Sequence, residues 1–296
     1  MDKPRFVIPA SEVESMAQDS KLTVLQLLPT LVPSAQRLAR PPISRYHVGA
    51  VGLGSSGRVF FGVNLEFPNL PLHHSVHAEQ FLLTNLSLNA EPRLHYLAVS
   101  SAPCGHCRQF LQEIRDAPNI NLLITSEPNS ASDQFTPLSN FLSHPFGPHD
   151  LLPEDVPLLL EPHHNKLSFL SETQIKLCNG VCGVGGELRY AALEAANRSR
   201  APYSGCPSGV ALVDCEGKVY PGSYMESAAF NPSMGPVQAA LVAYVANGGG
   251  GGYERIVGAV LVEKEGAVVK QEQTARLLLQ AISPKCEFKV FHCRSA

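Results

Sequence analysis

Apolar residues recur at helical spacing through KLTVLQLLPTLVPSAQRLAR (21–40), a run that Pro29 and Pro33 are expected to cut. The period then changes to two. YHVGAVGL (46–53) and RVFFGVNLEF (58–67) alternate apolar with small or polar residues, and GSSG between them supplies a turn, so the pair predicts a hairpin. HAEQFLLTNLSL (77–88) returns to helical spacing. LHYLAVSS (94–101) reads as a buried strand, GHCRQFLQEIRD (105–116) as a helix and INLLITS (120–126) as another strand. A helix, two strands, then alternating helix and strand predict one sheet covered by helices on both faces.

The same order returns. ELRYAALEAANRS (187–199) reads as a helix, SGVALVDCEGKVYPGSYMES (208–227) as a hairpin turning at CEG, GPVQAALVAYVAN (235–247) as a helix and RIVGAVLVEK (255–264) as a strand. GRVFFGVNLE (57–66) lies over GKVYPGSYME (217–226) at an offset of 160, which sets Gly62 on Gly222 and Glu66 on Glu226. The next helices align Gln80 with Gln238 at an offset of 158, so the intervening loop is two residues shorter. What the alignment drops is informative. His77 falls on Gly235, Glu79 on Val237, and PCGHC (103–107) meets only LVEKEGAVVKQ. A packing role would survive in both copies, so the selective loss favours chemistry. The expected fold is α/β: a duplicated domain, each copy a mixed β-sheet sandwiched between α-helices in three layers. Residues 1–20 read as an N-terminal extension, 21–129 as the copy that keeps the polar residues and 186–296 as a degenerate copy without a metal. Residues 130–185, rich in Pro, Ser, Asn and His, read as a linker or wrapping segment. The glycine run 248–252 reads as a loop.

Composition narrows the partners. Of 296 residues, 44% are apolar and 17% charged, enough for a sizeable core. A net charge of -3 and the lack of any basic block argue against stable nucleic-acid binding. The first twenty residues have no apolar stretch of signal-peptide length, and no run approaches a membrane span, so the cytosol is the expected compartment. There the eight cysteines are expected to be reduced. In that compartment a Cys-x-x-Cys is more often a metal or redox site than a disulfide.

Cys104 and Cys107 have the spacing of two zinc ligands on one turn, and His77 supplies a third from another helix. Three protein ligands leave the fourth tetrahedral position for water, the catalytic arrangement; structural sites are closed by four. Residues two apart do not share a helix face. His77 and Glu79 therefore reach one site only at the first turn of a helix, and the two cysteines also sit where a helix starts. Two helix N-termini aimed at one metal favour thiolate and a deprotonated water. Arg108 is placed to hydrogen-bond a sulfur. Glu79 is then a proton carrier beside the bound water and not a ligand. His106 is expected to point away from the metal, and His73 and His74 are read as loop residues. Cys178, Cys182, Cys206, Cys215, Cys286 and Cys293 are read as buried or linker thiols.

His-x-Glu with Pro-Cys-x-x-Cys resembles the signature of zinc deaminases. With the altered repeat, nearly the whole chain resembles the two-domain, dimeric cytidine deaminases of bacteria and plants, and the plant enzymes most. The resemblance implies one zinc per chain on His77, Cys104 and Cys107. It implies Glu79 as the catalytic residue, and hydrolytic deamination of cytidine and 2'-deoxycytidine to uridine and 2'-deoxyuridine in pyrimidine salvage. In NLEF, Asn64 and Glu66 are implied as ribose-binding residues. Tyr46 matches the aromatic position that packs on the pyrimidine, where the family usually has Phe, and Ala78 is expected to offer its backbone carbonyl to the substrate amino group. HPFGPHDLL (144–152) puts Phe146 near the site, and AAFNPSMGP (228–236) makes Phe230 a candidate to line the partner's site in a homodimer with shared active sites. A gripped diol independently suits a free nucleoside. A polynucleotide deaminase would want a basic channel and stacking aromatics, yet the chain has no Trp. A non-catalytic zinc module would need a fourth ligand, and a guanine- or riboflavin-type deaminase would not need the ribose-gripping strand.

Overall fold

A computed structural model of the protein describes residues 5–126, 134–170, 185–248 and 251–295. The first hairpin forms as the alternation predicts. Strands β2 (Gly49–Gly54) and β3 (Val59–Val63) pair antiparallel, with Ala50 opposite Gly62. Strand β1 (Val7–Ile8) extends the far edge of β3. On the other side β4 (Leu94–Val99) pairs antiparallel with β2, β5 (Asn121–Ile124) parallel with β4, and β6 (Thr136–Pro137) antiparallel with β5. The result is a mixed six-stranded sheet in the order β1-β3-β2-β4-β5-β6.

Three glycines show where the helices lie. A Cβ on Gly49 would stand 2.6 Å from Gln36 N, at the end of α2 (Val24–Gln36). One on Gly62 would stand 2.2 Å from the Ala78 carbonyl, at the start of α3 (Ala78–Leu88), and one on Gly52 would meet Leu82 of the same helix at 2.9 Å. Strand residues alternate between faces, and Gly62 is paired with Ala50, so Gly49 faces one way and Gly52 and Gly62 the other. Helices α2 and α3 therefore cover opposite faces, giving the expected three layers.

The second copy repeats this in detail. Its sheet runs β7 (Leu167–Phe169), β11 (Glu287–Ser295), β10 (Ile256–Lys264), β8 (Ser208–Asp214), β9 (Val219–Ser223), with β10 and β11 parallel. Gly209 packs on Ala196 of α5 (Gly185–Asn197), and Gly222, paired with Val210, packs on Ala240 of α6 (Pro236–Ala246). Arg40 N–H donates to Asn64 O and Glu66 N–H to Arg40 O; at an offset of 160, Arg200 N–H donates to Tyr224 O and Glu226 N–H to Arg200 O. A further helix, α7 (Glu272–Ile282), precedes β11.

The chain forms two compact units. The first is Met1–Phe67 with Leu72–Glu161 and Ser227–Pro232; the second is Pro68–Pro71 with Pro162–Glu226 and Ser233–Ala296. The described part of the expected extension folds into the first unit as β1 and α1 (Ala10–Ser20). Of the expected linker, residues 134–161 belong to the first unit and 162–170 to the second, while Cys178 and Cys182 lie outside the described residues.

Two local expectations fail. Helix α2 runs unbroken through Pro29 and Pro33. Each proline costs about 3 kcal/mol in a helix interior. Leu27, Leu28, Leu31 and Val32 are buried on that helix, at roughly 1.5–3 kcal/mol each, so burial outweighs the breaks. The helix expected over 105–116 is α-helical only over Gly105–Phe110 (α4) and tightens into a 3-10 turn at Leu111–Glu113, after which Ile114 is extended.

Candidate active site

Two helix starts converge. His77 is the N-cap of α3 and Cys104 the N-cap of α4, both with extended backbone, and Cys107 lies on the first turn of α4. His77 Nδ1 is 3.4 Å from Cys104 Sγ and 3.3 Å from Cys107 Sγ, and the sulfurs are 3.7 Å apart. Tetrahedral zinc with Zn–S near 2.3 Å and Zn–N near 2.05 Å requires about 3.75 Å between sulfurs and about 3.5 Å between sulfur and nitrogen. The three donors therefore stand where zinc needs them. Among the described residues they are the one His/Cys/Asp/Glu group with this convergence.

The charge state suits a cation. Hydrogen bonds from Cys107 and then His77 bring the Cys104 thiol down to about 3. The hydrogen bond to Cys104 raises His77, and the same sulfur together with burial raises Cys107. A thiol that gives up its proton this readily suits a cation, and binding a metal displaces any proton still held on the donors.

Glu79, on the first turn of α3, is 4% exposed. Burial raises its carboxyl, and the hydrogen bond with Cys107 partly offsets this. A buried carboxyl beside the metal donors that readily holds a proton is suited to proton transfer.

His77, Glu79 and Cys104 line a 420 Å³ cleft together with Tyr46, Asn64, Glu66, Leu72, Ala78 and Ser101, among others, and Cys107 lies behind Cys104 outside that lining. That volume lies in the range of small-molecule sites, about 300–1,000 Å³. The Asn64 amide clamps the rim: Oδ1 accepts from Val48 N–H at 2.9 Å and Nδ2 donates to Tyr46 O at 2.9 Å. Glu66 accepts from Ile43 N–H, Ser44 N–H and Ser44 Oγ. Burial would raise its carboxyl, but the Ser44 and Ile43 bonds bring it below the usual value, so it remains an acceptor. Glu226 makes the same three bonds to Tyr203 N–H, Ser204 N–H and Ser204 Oγ. Those bonds therefore hold the turn in either copy. A carboxylate has about four acceptor positions, leaving Glu66 one for a ligand, and Asn64 keeps one hydrogen and one lone pair.

Tyr46 lines the cleft at 59% exposure, with its hydroxyl 2.7 Å from Ser101 Oγ. Ala78 is buried and lines the cleft too. Phe146 and Phe230 do not line it in their own chain; they are 46% and 66% exposed. Arg108 does not bond a sulfur: its Nε donates to Pro103 O and its Nη1 to Phe141 O. The carbonyls lie within reach of a side chain pointing back along the helix, and they take the planar donors first. His106 is not among the donors, but it does not turn away from them as expected: it is bonded to Gln80 and its ring stacks on that of His77. Ser101 and Gln80 were not legible as functional. Ser101 carries no motif signal, and Gln80 entered only as the residue that aligns with Gln238 in the second copy.

In the second unit the β10 register sets Leu261 opposite Val210, as Val99 is set opposite Ala50. The positions of Cys104 and Cys107 are then Gly266 and Val269, and that of His77 is Gly235, the N-cap of α6.

Two family models match the chain, over residues 23–123 and 138–276, both described as the cytidine and deoxycytidylate deaminase zinc-binding region. The chain is 67% identical to cytidine deaminase 1 of Arabidopsis thaliana, over all of both chains. It is 53% identical to cytidine deaminase 6 of the same plant, over 90% of this chain and 91% of that one. Among solved structures, the cytidine deaminase of Mycobacterium tuberculosis is 31% identical, covering 41% of this chain and 95% of that one, with a TM-score of 0.35.

Proposed function

Because the chain belongs to the cytidine and deoxycytidylate deaminase family, we propose a specific division of labour among its residues. The protein is a zinc-dependent hydrolase, a cytidine deaminase. The single observation that carries the residue roles is the tetrahedral spacing of His77 Nδ1, Cys104 Sγ and Cys107 Sγ beside the buried Glu79, where His77, Glu79 and Cys104 line a nucleoside-sized cleft.

His77, Cys104 and Cys107 hold one zinc per chain, and the second copy holds none. When bound, the zinc lowers the pKa of a water toward neutrality. Glu79 takes the proton of the attacking water and passes it to the pyrimidine ring nitrogen as oxygen bonds to the amidine carbon. It then carries the remaining proton of the newly added hydroxyl to the amino group, the C–N bond breaks as the carbonyl forms, and ammonia leaves with uridine as the other product. The Ala78 carbonyl accepts from the substrate amino group. Asn64 and Glu66 use their remaining positions on the ribose hydroxyls, and Tyr46 packs on the base. Both cytidine and 2'-deoxycytidine are substrates in this reading, in pyrimidine salvage in the cytosol. The described cysteines, all free, suit that compartment.

The protein acts as a homodimer in which Phe230, and secondarily Phe146, line the partner's cleft. Two exposed phenylalanines outside their own cleft support this, and two-fold symmetry would cover both sites alike. Closing each cleft in this way excludes water and admits a free nucleoside.

Loss of cytidine absorbance with and without a chelator tests the reaction. Complementation tests the sharing. Glu79→Ala and Phe230→Ala, each impaired alone, are mixed after reversible dissociation. Restored activity is expected, because one site in each hybrid is intact; a mixture as weak as its parents would refute shared sites while leaving the deaminase assignment standing.

A further inference from the structure

Gln80 is the third residue of α3 and 4% exposed. Its Oε1 accepts from the backbone N–H of His77 at 3.2 Å. A backbone N–H can only donate, which fixes Nε2 as the amide NH2. One of its hydrogens goes to Pro232 O at 3.1 Å and the other to His106 Nε2 at 3.0 Å. His106 therefore accepts at Nε2 and carries its proton on Nδ1. The His106 ring lies on the ring of His77, with centroids 5.4 Å apart and planes at 26°. Three of the four hydrogen-bonding positions of one buried carboxamide are used. They reach the main chain of a metal donor, the ring stacked on that donor, and the segment Ser227–Pro232. That segment has a second anchor, Ala228 N–H on the fully buried Glu113 carboxylate at 2.7 Å.

The other copy separates the capping part of this arrangement from the rest. Gln238 occupies the same helix position and turns back over its helix start, since a Cβ on Gly235 would stand 2.4 Å from its Oε1. The position of His106 is there taken by Val268, 87% exposed. Shaping a helix start is thus common to both copies. Donating to an imidazole and to Pro232 belongs to the copy with the metal donors.

We propose that Gln80 is the positioning residue for His77: through His106 and the Pro232 carbonyl it fixes the plane in which the His77 imidazole meets zinc. The inference rests on the reading of His77 as a zinc ligand. A ligating imidazole free to turn about its side-chain bonds spends part of its time with Nδ1 off the metal. Groups that orient a ligand in this way typically account for about 10–100-fold in metal affinity.

Zinc affinity of the full-length protein, by competition with a chromogenic chelator, is the readout, supported by the visible spectrum of the cobalt-substituted protein. Gln80→Met keeps the volume and removes all three bonds, and is expected to weaken zinc by about 10–100-fold and alter the cobalt spectrum. Gln238→Met removes the matching side chain and is expected to leave zinc affinity within about twofold. His106→Phe keeps the stacked ring but not the acceptor, so it should loosen zinc by roughly threefold or more. The double variant should be no weaker than Gln80→Met alone, because both act through one path. An unchanged affinity in Gln80→Met, additive effects in the double variant, or an equal loss in Gln238→Met would overturn the proposal. Should Gln80→Met fail to fold, His106→Phe decides alone: an unchanged affinity there overturns it. His77→Ala separates the two readings, because zinc retained at full affinity in that variant refutes the ligand assignment on which the role of Gln80 depends.

Discussion

Gly62→Ala is the sharpest test of how the fold places the chemistry. The added Cβ would stand 2.2 Å from the Ala78 carbonyl oxygen and 2.8 Å from both Cβ and N of Leu82, where ordinary contact begins near 3.4 Å. The neighbours are helix backbone, so the start of α3 has to retreat from β3 by about 1 Å, carrying His77, Ala78 and Glu79 with it. Overpacking of this kind costs about 1–3 kcal/mol. A shift of about 1 Å in a catalytic group can cost about 100-fold in rate. The second copy provides the comparison: a Cβ on Gly222 would stand 2.1 Å from Ala240 N and 2.4 Å from Pro236 O. Both alanine variants should lose similar stability, measured by circular-dichroism melting. Only Gly62→Ala should also lose about 10–100-fold in kcat/KM for cytidine at a temperature where both are folded. Equal activity losses in the two variants, or activity in Gly62→Ala within about twofold of wild type, would refute the view that this glycine sets the catalytic helix.

Other outcomes follow from the same geometry. Glu79→Gln should keep its zinc and its melting point yet lose about 10²–10⁴-fold in turnover; near-normal rates would remove Glu79 from the mechanism. Metal analysis should find one zinc per chain, lost together with activity in Cys107→Ala, and about two per chain would contradict a second copy without metal. Glu91 has a fully buried side chain that accepts from Ser55 Oγ, Ser56 N–H and Arg58 Nη2. Burial would raise its carboxyl, but the Ser56, Ser55 and Arg58 bonds outweigh this and lower it. Its contribution is therefore present above the unfolded carboxylate pKa of about 4.3 and lost as pH falls through the lower folded value. The wild-type melting point should drop more steeply below about pH 4 than that of Glu91→Gln, which should be less stable at pH 7 by about 1–3 kcal/mol; parallel curves would refute this.

Most of the architecture is carried by local pattern. The hairpins, α3 and the repeat could be read because alternation, turn residues and paired glycines act over a few residues. The same pattern misled at Pro29 and Pro33, where a local penalty is outweighed by burial against a sheet far along the chain. The candidate metal donors could be read because His77, Cys104 and Cys107, with Glu79 beside them, share a fixed spacing, whereas the stacking of His106 on His77 could not. The Pro232 and Ala228 anchors were not legible. They join Gln80 and Glu113 to residues 152 and 115 positions away, and no periodicity links such distant carbonyls and amides. Arg108 was misread for a related reason, since nothing in a sequence reveals that Pro103 O and Phe141 O lie nearer its guanidinium than the sulfurs do.

The altered end of β10 bears on how the two copies diverged. Where the first copy turns from its strand straight into the helix that presents Cys104 and Cys107, the second has a turn with Gly266 at φ +69° and no helix before Glu272. Restoring histidine, glutamate and two cysteines at the aligned positions would place thiols on a loop that lacks the aligned amides of a helix start. The divergence therefore runs deeper than four side chains. Point substitution alone does not reproduce the first copy's centre in the second. A second centre of the same geometry would take transplanting the segment equivalent to 101–110 whole.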